Sequence, residues 1–384
     1  MGVTPDDDRL RAAWDAFCDG LKEAGNLVFD ERAPANELDR AAGLQYLTRY
    51  VTKAVLNKFE YDDPQYPQLW TLQHPTHKSF GDNPDCTYLV CPIDGGETYR
   101  ISGQRGSVKW VSFRVQDGAI NNADLQVDWN GNFEVWLSPE PHDGNWIATS
   151  PGIGQVFIRE FFGHWDTEEP MTIQIERVGR DGPPPQLTAA DVIRRLDNTI
   201  TWLREDSRFW FDWIEFYRDR PNRFVTGMPG AIGGGDESAL SRSLHFCQWN
   251  VEPDEALVIR AVPPRRVFWW NFELGNFWMN SSDYRYHLSS INSEQATVED
   301  DGSVVIVVSH HDPEVPNWLN TAGHTSGLMP QRWVEGDDAP TPEAELVKFA
   351  DLPEVLAGVR RITPEARREQ LRRRKAGVDK RFPV

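Results

Sequence analysis

The sequence predicts a mainly β protein with flanking helices: two jelly-roll-like antiparallel β-sandwiches, a helical N-terminal segment, a helical linker and a basic helical tail. Three observations carry that expectation. Two blocks, about residues 81–180 and 240–335, consist of short segments of alternating apolar and polar residues separated by turn residues. The stretches around them, about residues 1–80, 187–220 and 340–384, hold helical spacing or dense charge. A length of 384 residues suits two or three domains and allows sizeable cores.

The elements follow in order. Asp6 to Ala24 carries Leu10, Trp14, Phe17, Cys18 and Leu21 on one helical stripe. Glu37 to Phe59 repeats the pattern with Leu44, Leu47, Val51 and Val55. The prolines of YDDPQYPQLWTLQHPTH then exclude regular helix. From Asp85 the period changes to two. TYRISG and KWVSFRVQDG read as antiparallel strands, and FEVWLSP, WIATSPGIGQVFIREFF and MTIQIERVG as further strands. Short strands between turns favour a sandwich over an α/β fold. Residues 180–186, RDGPPPQ, form a linker. Thr188 with Asp191 is a capping-box variant that opens a helix to about Tyr217, with Ile193, Leu196, Ile200 and Leu203 on its buried stripe. GAIGGGDES at 230–238 breaks the chain before the second β block. The tail is expected to hold two helices, Pro342–Phe349 and Pro364–Lys375. No short-period repeat is present, but the two β blocks are candidates for a structural duplication.

Formal net charge is −19. The last 31 residues hold ten Lys/Arg against four Asp/Glu, or +6, so the remainder carries −25. A body that acidic repels nucleic acid and anionic membranes. The tail is expected to be solvated and partly helical; binding to an acidic partner, to RNA or to the body itself is the alternative. Mean hydropathy is −0.56, and no apolar run approaches the roughly 18 residues that span a bilayer. The acidic N-terminus lacks the features of a signal peptide, so the expected location is cytoplasmic. Cys18, Cys86, Cys91 and Cys247 form no metal or disulfide spacing and are expected as free thiols. The sixteen tryptophans are core fillers or stacking platforms for sugars and flat ligands, each ring burying ~150–250 Å².

The first block carries NPDCTYLVCPIDGGETYRISGQRG and WIATSPGIGQVFIREFFGHW. The second carries VIRAVPPRRVFWWNFELGNFWMNSSDYRYHLSS and ends in NWLNTAGHTSGLMPQRW. These resemble the paired domains of unknown function 1254 and 1214, closely over about 256–334 and more loosely over about 83–178. The resemblance implies two jelly-roll-like sandwiches joined and flanked by helices, and no assigned activity. Asn320 stands where such relatives place Pro after Asn-Trp-Leu, which bears on that turn.

Candidate chemistry gathers in the second block. His310, His311 and Asp312 close the apolar strand VVIVVS. Adjacent strand residues point to opposite faces, so the two histidines cannot both ligate one ion, and no metal is assigned. Either histidine is a candidate acid or base. In DYRYH, alternation places Tyr284 and Tyr286 on one face, with Arg285 and His287 on the other; the tyrosines are candidate acids and Arg285 a candidate anion contact. In FWWNF, Trp269 and Asn271 share the face opposite Phe268, Trp270 and Phe272, and offer a ring beside an amide to a ligand. Asn317, Trp318, His324 and Arg332 are candidates for the mouth of such a pocket, although Asn317 also suits a turn-stabilising role. Tyr99, Arg105, Asn121, Arg159 and Trp165 are candidates for a comparable pocket in the first block.

Nucleotide loops, GxSxG and HExxH are absent, so no cofactor is expected and standard hydrolases and zincins are disfavoured. Three functions remain open. One is a cofactor-independent hydrolase, lyase or isomerase acting on a small molecule in the second sandwich. Another is a noncatalytic module for a carbohydrate or hydrophobic ligand. The third is a structural role, with sheet edges and the basic tail pairing subunits into a homo-oligomer.

Overall fold

Three helices pack together against the second sandwich. The computed structural model describes residues 5–227 and 244–382, so the glycine-rich stretch 230–238 lies outside the described residues. Helix α1 (Pro5–Gly25) has Asp6, Asp7 and Asp8 in its first turn, where their charge compensates the helix dipole. Helix α2 (Glu37–Val55) is capped by Asn36, whose side chain accepts from the Asp39 amide, and ends in a single π-helical turn, Leu56–Glu60. Helix α3 (Ala189–Ile214) begins with the reciprocal Thr188–Asp191 capping box read from the sequence. The apolar stripes of these helices meet in one core, with Phe17, Tyr46, Tyr50, Leu203, Phe211 and Trp213 packed on Phe246, Trp278 and Leu328 of the second sandwich.

The first sandwich comprises β1 (Trp70–Thr71), β2 (Cys86–Asp94), β3 (Tyr99–Gln104), β4 (Trp110–Val115), β5 (Gly118–Asn121), β6 (Asn132–Ser138), β7 (Asn145–Ala148), β8 (Ile153–Phe161) and β9 (Thr172–Arg177). The second comprises β10 (Phe224–Thr226), β11 (Leu244–Asn250), β12 (Glu255–Ala261), β13 (Trp269–Glu273), β14 (Ser290–Asn292), β15 (Val304–Ser309), β16 (Trp318–Asn320), β17 (Ser326–Val334) and β18 (Glu343–Lys348). Their sheet orders are β1-β2-β8-β4-β5 over β7-β6-β3-β9, and β10-β11-β17-β13-β14 over β16-β15-β12-β18. Adding nine to every strand number of the first sandwich reproduces the second. The match extends to direction: β6–β7 and β15–β16 are parallel pairs within otherwise antiparallel sheets.

It extends to individual residues. Asn145 accepts from the Gln126 amide and donates to the carbonyls of Gln126 and Glu134. Asn317 does the same with Thr297 and Val305. The next residues, Trp146 and Trp318, both donate from Nε1 to the carbonyl of the serine that ends the neighbouring strand, Ser138 or Ser309. The two β blocks are therefore a duplication. In register, Arg159 pairs with Ser112 as Arg332 pairs with Asn271.

The tail departs from expectation twice. Residues 343–348 form strand β18 rather than a helix, because their backbone completes the free edge of β12 from Glu255–Lys348 to Arg260–Glu343. A ladder partner outweighs the helix propensity of Glu, Ala and Leu. Of the two expected tail helices the second forms, here α4 (Pro364–Arg381), preceded by a single helical turn at Leu352–Val355, and it is not a solvated appendage. Arg367 clasps Asp312 through two hydrogen bonds of 3.0 and 3.1 Å. Arg373 reaches Asp166 of the first sandwich at 2.7 Å. Arg374 and Arg381 lie over the Trp165 ring, 4.1 and 4.5 Å from its centroid. A Cβ on Gly377 would stand 2.4 Å from that of Trp165, so glycine permits the approach. The basic tail thus binds the body and spans both sandwiches.

Candidate functional site at the junction between the sandwiches

Alternation along the central strands gives each large sheet an inner and an outer face. Val111, Phe113, Val156 and Ile158 fill the first sandwich, and Trp270, Phe272, Met329 and Trp333 the second. The outer faces meet. Their apolar part is Cys86, Trp110, Phe161, Trp269 and Val334, with Phe161 stacked 4.7 Å from both Trp110 and Trp269. Trp110 donates from Nε1 to Glu335 at 2.7 Å. Its duplicate, Trp269, has a buried Nε1 with no acceptor.

Beside these rings the strand-preceding segment Asp82–Asp85 enters the junction. Asp85 is fully buried and receives Asn292 Nδ2 at 2.7 Å, Trp165 Nε1 at 2.9 Å and Asn271 Nδ2 at 3.1 Å. Asn83, in a left-handed conformation at φ 28°, accepts from Asn271 at 2.8 Å and donates its amide to Glu273 at 3.2 Å. Asp82 is held by the Ser281 amide and hydroxyl at 2.7 and 2.6 Å, with Lys78 3.6 Å away.

Glu273 and Arg332 form the core of this site. Arg332 Nη1 donates to Glu273 Oε2 at 2.8 Å and to Asn271 at 3.3 Å. Burial raises the Glu273 carboxyl to about 7 despite the Arg332 guanidinium, and the nearby Asp82 charge pushes the same way. Arg332 is the better exposed partner, with 16% of its side chain accessible against 1% for Glu273. Across the junction lies its duplicate, Arg159, half-buried with its guanidinium 4.6 Å from the centre of Phe157. Among the described residues no carboxylate pairs with Arg159. Its charge is opposed by burial and by the positive fields of Arg114 and Arg332. Tyr88, opposite Arg159 in the ladder, has its phenol pushed up by burial. The arrangement combines a carboxyl that burial raises to about 7, an arginine that holds it and a second arginine that feels the charge of the first. The hydroxyl of Ser112, the register neighbour of Arg159, is buried without a partner.

The residues singled out in the sequence do not converge. Among them, Asn271 and Arg332 belong to this site, and Trp269 packs beside it with no exposure. The alternation holds from Trp269 to Phe272, while Phe268 precedes the strand and is exposed rather than in the core; the face that presents Trp269 and Asn271 is covered by the first sandwich. Asp283–His287 is not a strand. Asp283 accepts from the amides of Arg285, Tyr286 and His287 and closes a turn, so Tyr284 is buried and Tyr286 is 57% exposed. The two tyrosines therefore share no face. Arg285 is bound to Asp283 at 2.7 Å. His310 contacts the Val251 carbonyl at 3.0 Å, while the exposed His311 lies edge-on to Phe349.

The proposed mouth also separates. Asn317 is consumed by three backbone bonds. Trp318 lies under Arg367, 5.1 Å from its ring centre. His324 meets Asp39 of α2 at 2.6 Å. In the first sandwich, Tyr99 donates to the Pro64 carbonyl and Arg105 to Asn122, whereas Arg159 and Trp165 reach the junction. Glu273, Asp85, Asn83 and Tyr88 were not singled out. Glu273 sits two residues beyond Asn271 on the same strand, and extending the alternation by one step would have found it.

Among the described residues no helix is long and apolar enough to cross a membrane, and no cluster of three metal-ligating side chains occurs. The family model "Protein of unknown function (DUF1214)" matches residues 256–329. No curated protein matches the chain. A crystal structure of an uncharacterized protein from Burkholderia cenocepacia superposes with a TM-score of 0.82 at 31% identity, covering 89% of this chain and 99% of that one. A Vibrio parahaemolyticus protein aligns over 86% of this chain and 100% of its own at 11% identity and a TM-score of 0.45. The chain belongs to the same family as the Burkholderia cenocepacia protein, and its DUF1214 region builds the middle of the second sandwich.

Proposed function

We propose that the junction binds a small molecule bearing a carboxylate or similar anionic group, and that the protein is a cofactor-independent enzyme of the lyase or isomerase type. Arg159 receives the anion, Arg332 holds Glu273 in place, and Glu273 takes a proton from a carbon or oxygen of the ligand and returns it. The observation that carries this reading is the pairing of a buried, protonatable Glu273 with an arginine that has no carboxylate of its own among the described residues. Matching a base to ambient pH favours proton transfer. The site differs from the expected histidine–tyrosine constellation, but the reaction class is retained. A sugar platform is less favoured, since Trp269 and Trp318 present no open ring face. We read the first sandwich as the domain of unknown function 1254-like partner, supported by its strand-for-strand equivalence to the second.

The test uses acetate, benzoate and inorganic phosphate as probes, followed by ligand-observed NMR on the full chain. Saturable binding that disappears in Arg159→Gln and persists in Glu273→Gln supports the assignment. Binding that is indifferent to Arg159→Gln refutes it.

A further inference from the structure

The duplication exposes one position where the two sandwiches differ in kind. In the first, the cross-strand pair Leu89–Ile158 points into the core. The equivalent pair in the second is His245–Gln331, which also points inward, beside Cys247, Met329 and Trp333. Both polar residues are 0% exposed. Gln331 has neither its Nε2 nor its Oε1 hydrogen-bonded, and His245 Nε2 is unpartnered as well. Buried polar groups are nearly always satisfied, because losing water without a replacement bond is costly. Three such atoms on directly opposed residues, which stand ~5 Å apart at Cβ, describe a polar edge in an otherwise apolar interior.

His245 is also joined to the surface. Its Nδ1 lies 3.0 Å from Thr226 Oγ1, and Thr226 Oγ1 is 3.4 Å from Thr341 Oγ1; both threonines are exposed. Burial lowers the imidazole pKa, against a hydrogen bond with the Ala339 backbone that raises it, which favours the neutral ring. A primary carboxamide presents a donor and an acceptor side by side, the complement of another amide or of an undissociated carboxylic acid.

We propose that His245 and Gln331 form an internal binding site, separate from the junction, for a small neutral molecule with an amide-like donor–acceptor edge. Gln331 makes the paired contact and His245 Nε2 adds a third hydrogen bond. The site does not rest on the reading of the junction.

Acetamide and urea serve as probes against full-length protein labelled with ¹⁵N at histidine. The expected result is a saturable shift of the His245 Nε2 resonance, lost in Gln331→Ile. The double variant His245→Leu/Gln331→Ile installs the residue types of the first sandwich and is expected to fold and to bind neither probe. No saturable shift in the parent protein, or a shift unchanged in Gln331→Ile, overturns the proposal. Should either variant fail to fold, crystals of the parent soaked in acetamide decide. Density for the amide between Gln331 and His245 supports the site, and density for water alone refutes it.

Discussion

Asp85→Ala removes the carboxylate on which Asn292, Trp165 and Asn271 converge at 2.7, 2.9 and 3.1 Å. The losses are unequal. Asn292 keeps the carbonyls of Phe162 and Gly163 at 3.1 Å, and Asn271 keeps Asn83 at 2.8 Å. Trp165 Nε1 keeps nothing. Stranding one buried donor costs about 1–3 kcal/mol, and each weakened bond about 0.5–1.5 kcal/mol. Asp85 also provides negative charge opposite the buried Arg374 and the half-buried Arg381, favouring their charged forms against burial, so its removal leaves two cations less compensated. The hydrogen-bond losses sum to about 2–6 kcal/mol. Asp85→Asn retains one acceptor oxygen and should cost roughly half as much. Urea unfolding of the three proteins measures this, as a change in midpoint at constant slope. A cost below ~1 kcal/mol for Asp85→Ala, or equal costs for the two variants, would show that the junction network does not hold the sandwiches together.

Three other outcomes are expected. Glu273 is raised from 4.5 to about 7 on folding, so its protonated form favours the native state. That contribution is fully present below pH about 4.5 and is lost as pH rises through about 7. Stability relative to Glu273→Gln should therefore fall over this window, by of order 1–3 kcal/mol, and a flat difference in unfolding midpoint would contradict the assignment. Asn145→Ala and Asn317→Ala each remove three bonds of matching geometry and should destabilise by similar amounts, about 2–3 kcal/mol; differential scanning calorimetry showing a large cost at one position alone would count against their equivalence. Arg367→Ala breaks the Asp312 clasp and uncovers Trp318, so trypsin should cut within residues 364–381 much faster than in the parent. An unchanged cleavage rate would mean that the remaining contacts of α4 suffice.

Much of the architecture was legible because it rests on local periodicity. The capping box and buried stripe of α3 and the alternation within β13 are properties of neighbouring residues, whereas Trp14 of the expected α1 stripe is exposed. What the sequence hid depends on partners far along the chain. Residues 343–348 become a strand only because β12 offers an edge. Arg367 and Arg374 become buried only because Asp312 and the Trp165 ring, far along the chain, receive them. Asp283–His287 looks like a strand by alternation, yet the Asp283 side chain and carbonyl close a turn over it. The site was harder still. Trp269 and Asn271 were correctly placed on one face, but nothing local says that a second sandwich covers it. Arg159 and Arg332 are 173 positions apart and become comparable only through the duplicated register.

The two equivalent edge strands, β9 and β18, have a consequence for solubility. Each ends one sheet with a backbone edge that another chain could extend. TIQIER alternates exposed polar residues with partly covered ones, and EAELVK surrounds one exposed apolar residue, Leu346, with exposed Glu343, Glu345 and Lys348. Arg100 joins Glu134 and Glu176 across one of these sheets, and Lys348 joins Asp254 and Glu255 on the other. An approaching strand would have to strip water from these charges before gaining a single ladder bond. Doubling a sandwich doubles the number of such edges, and both copies carry the same safeguard against sheet-to-sheet aggregation.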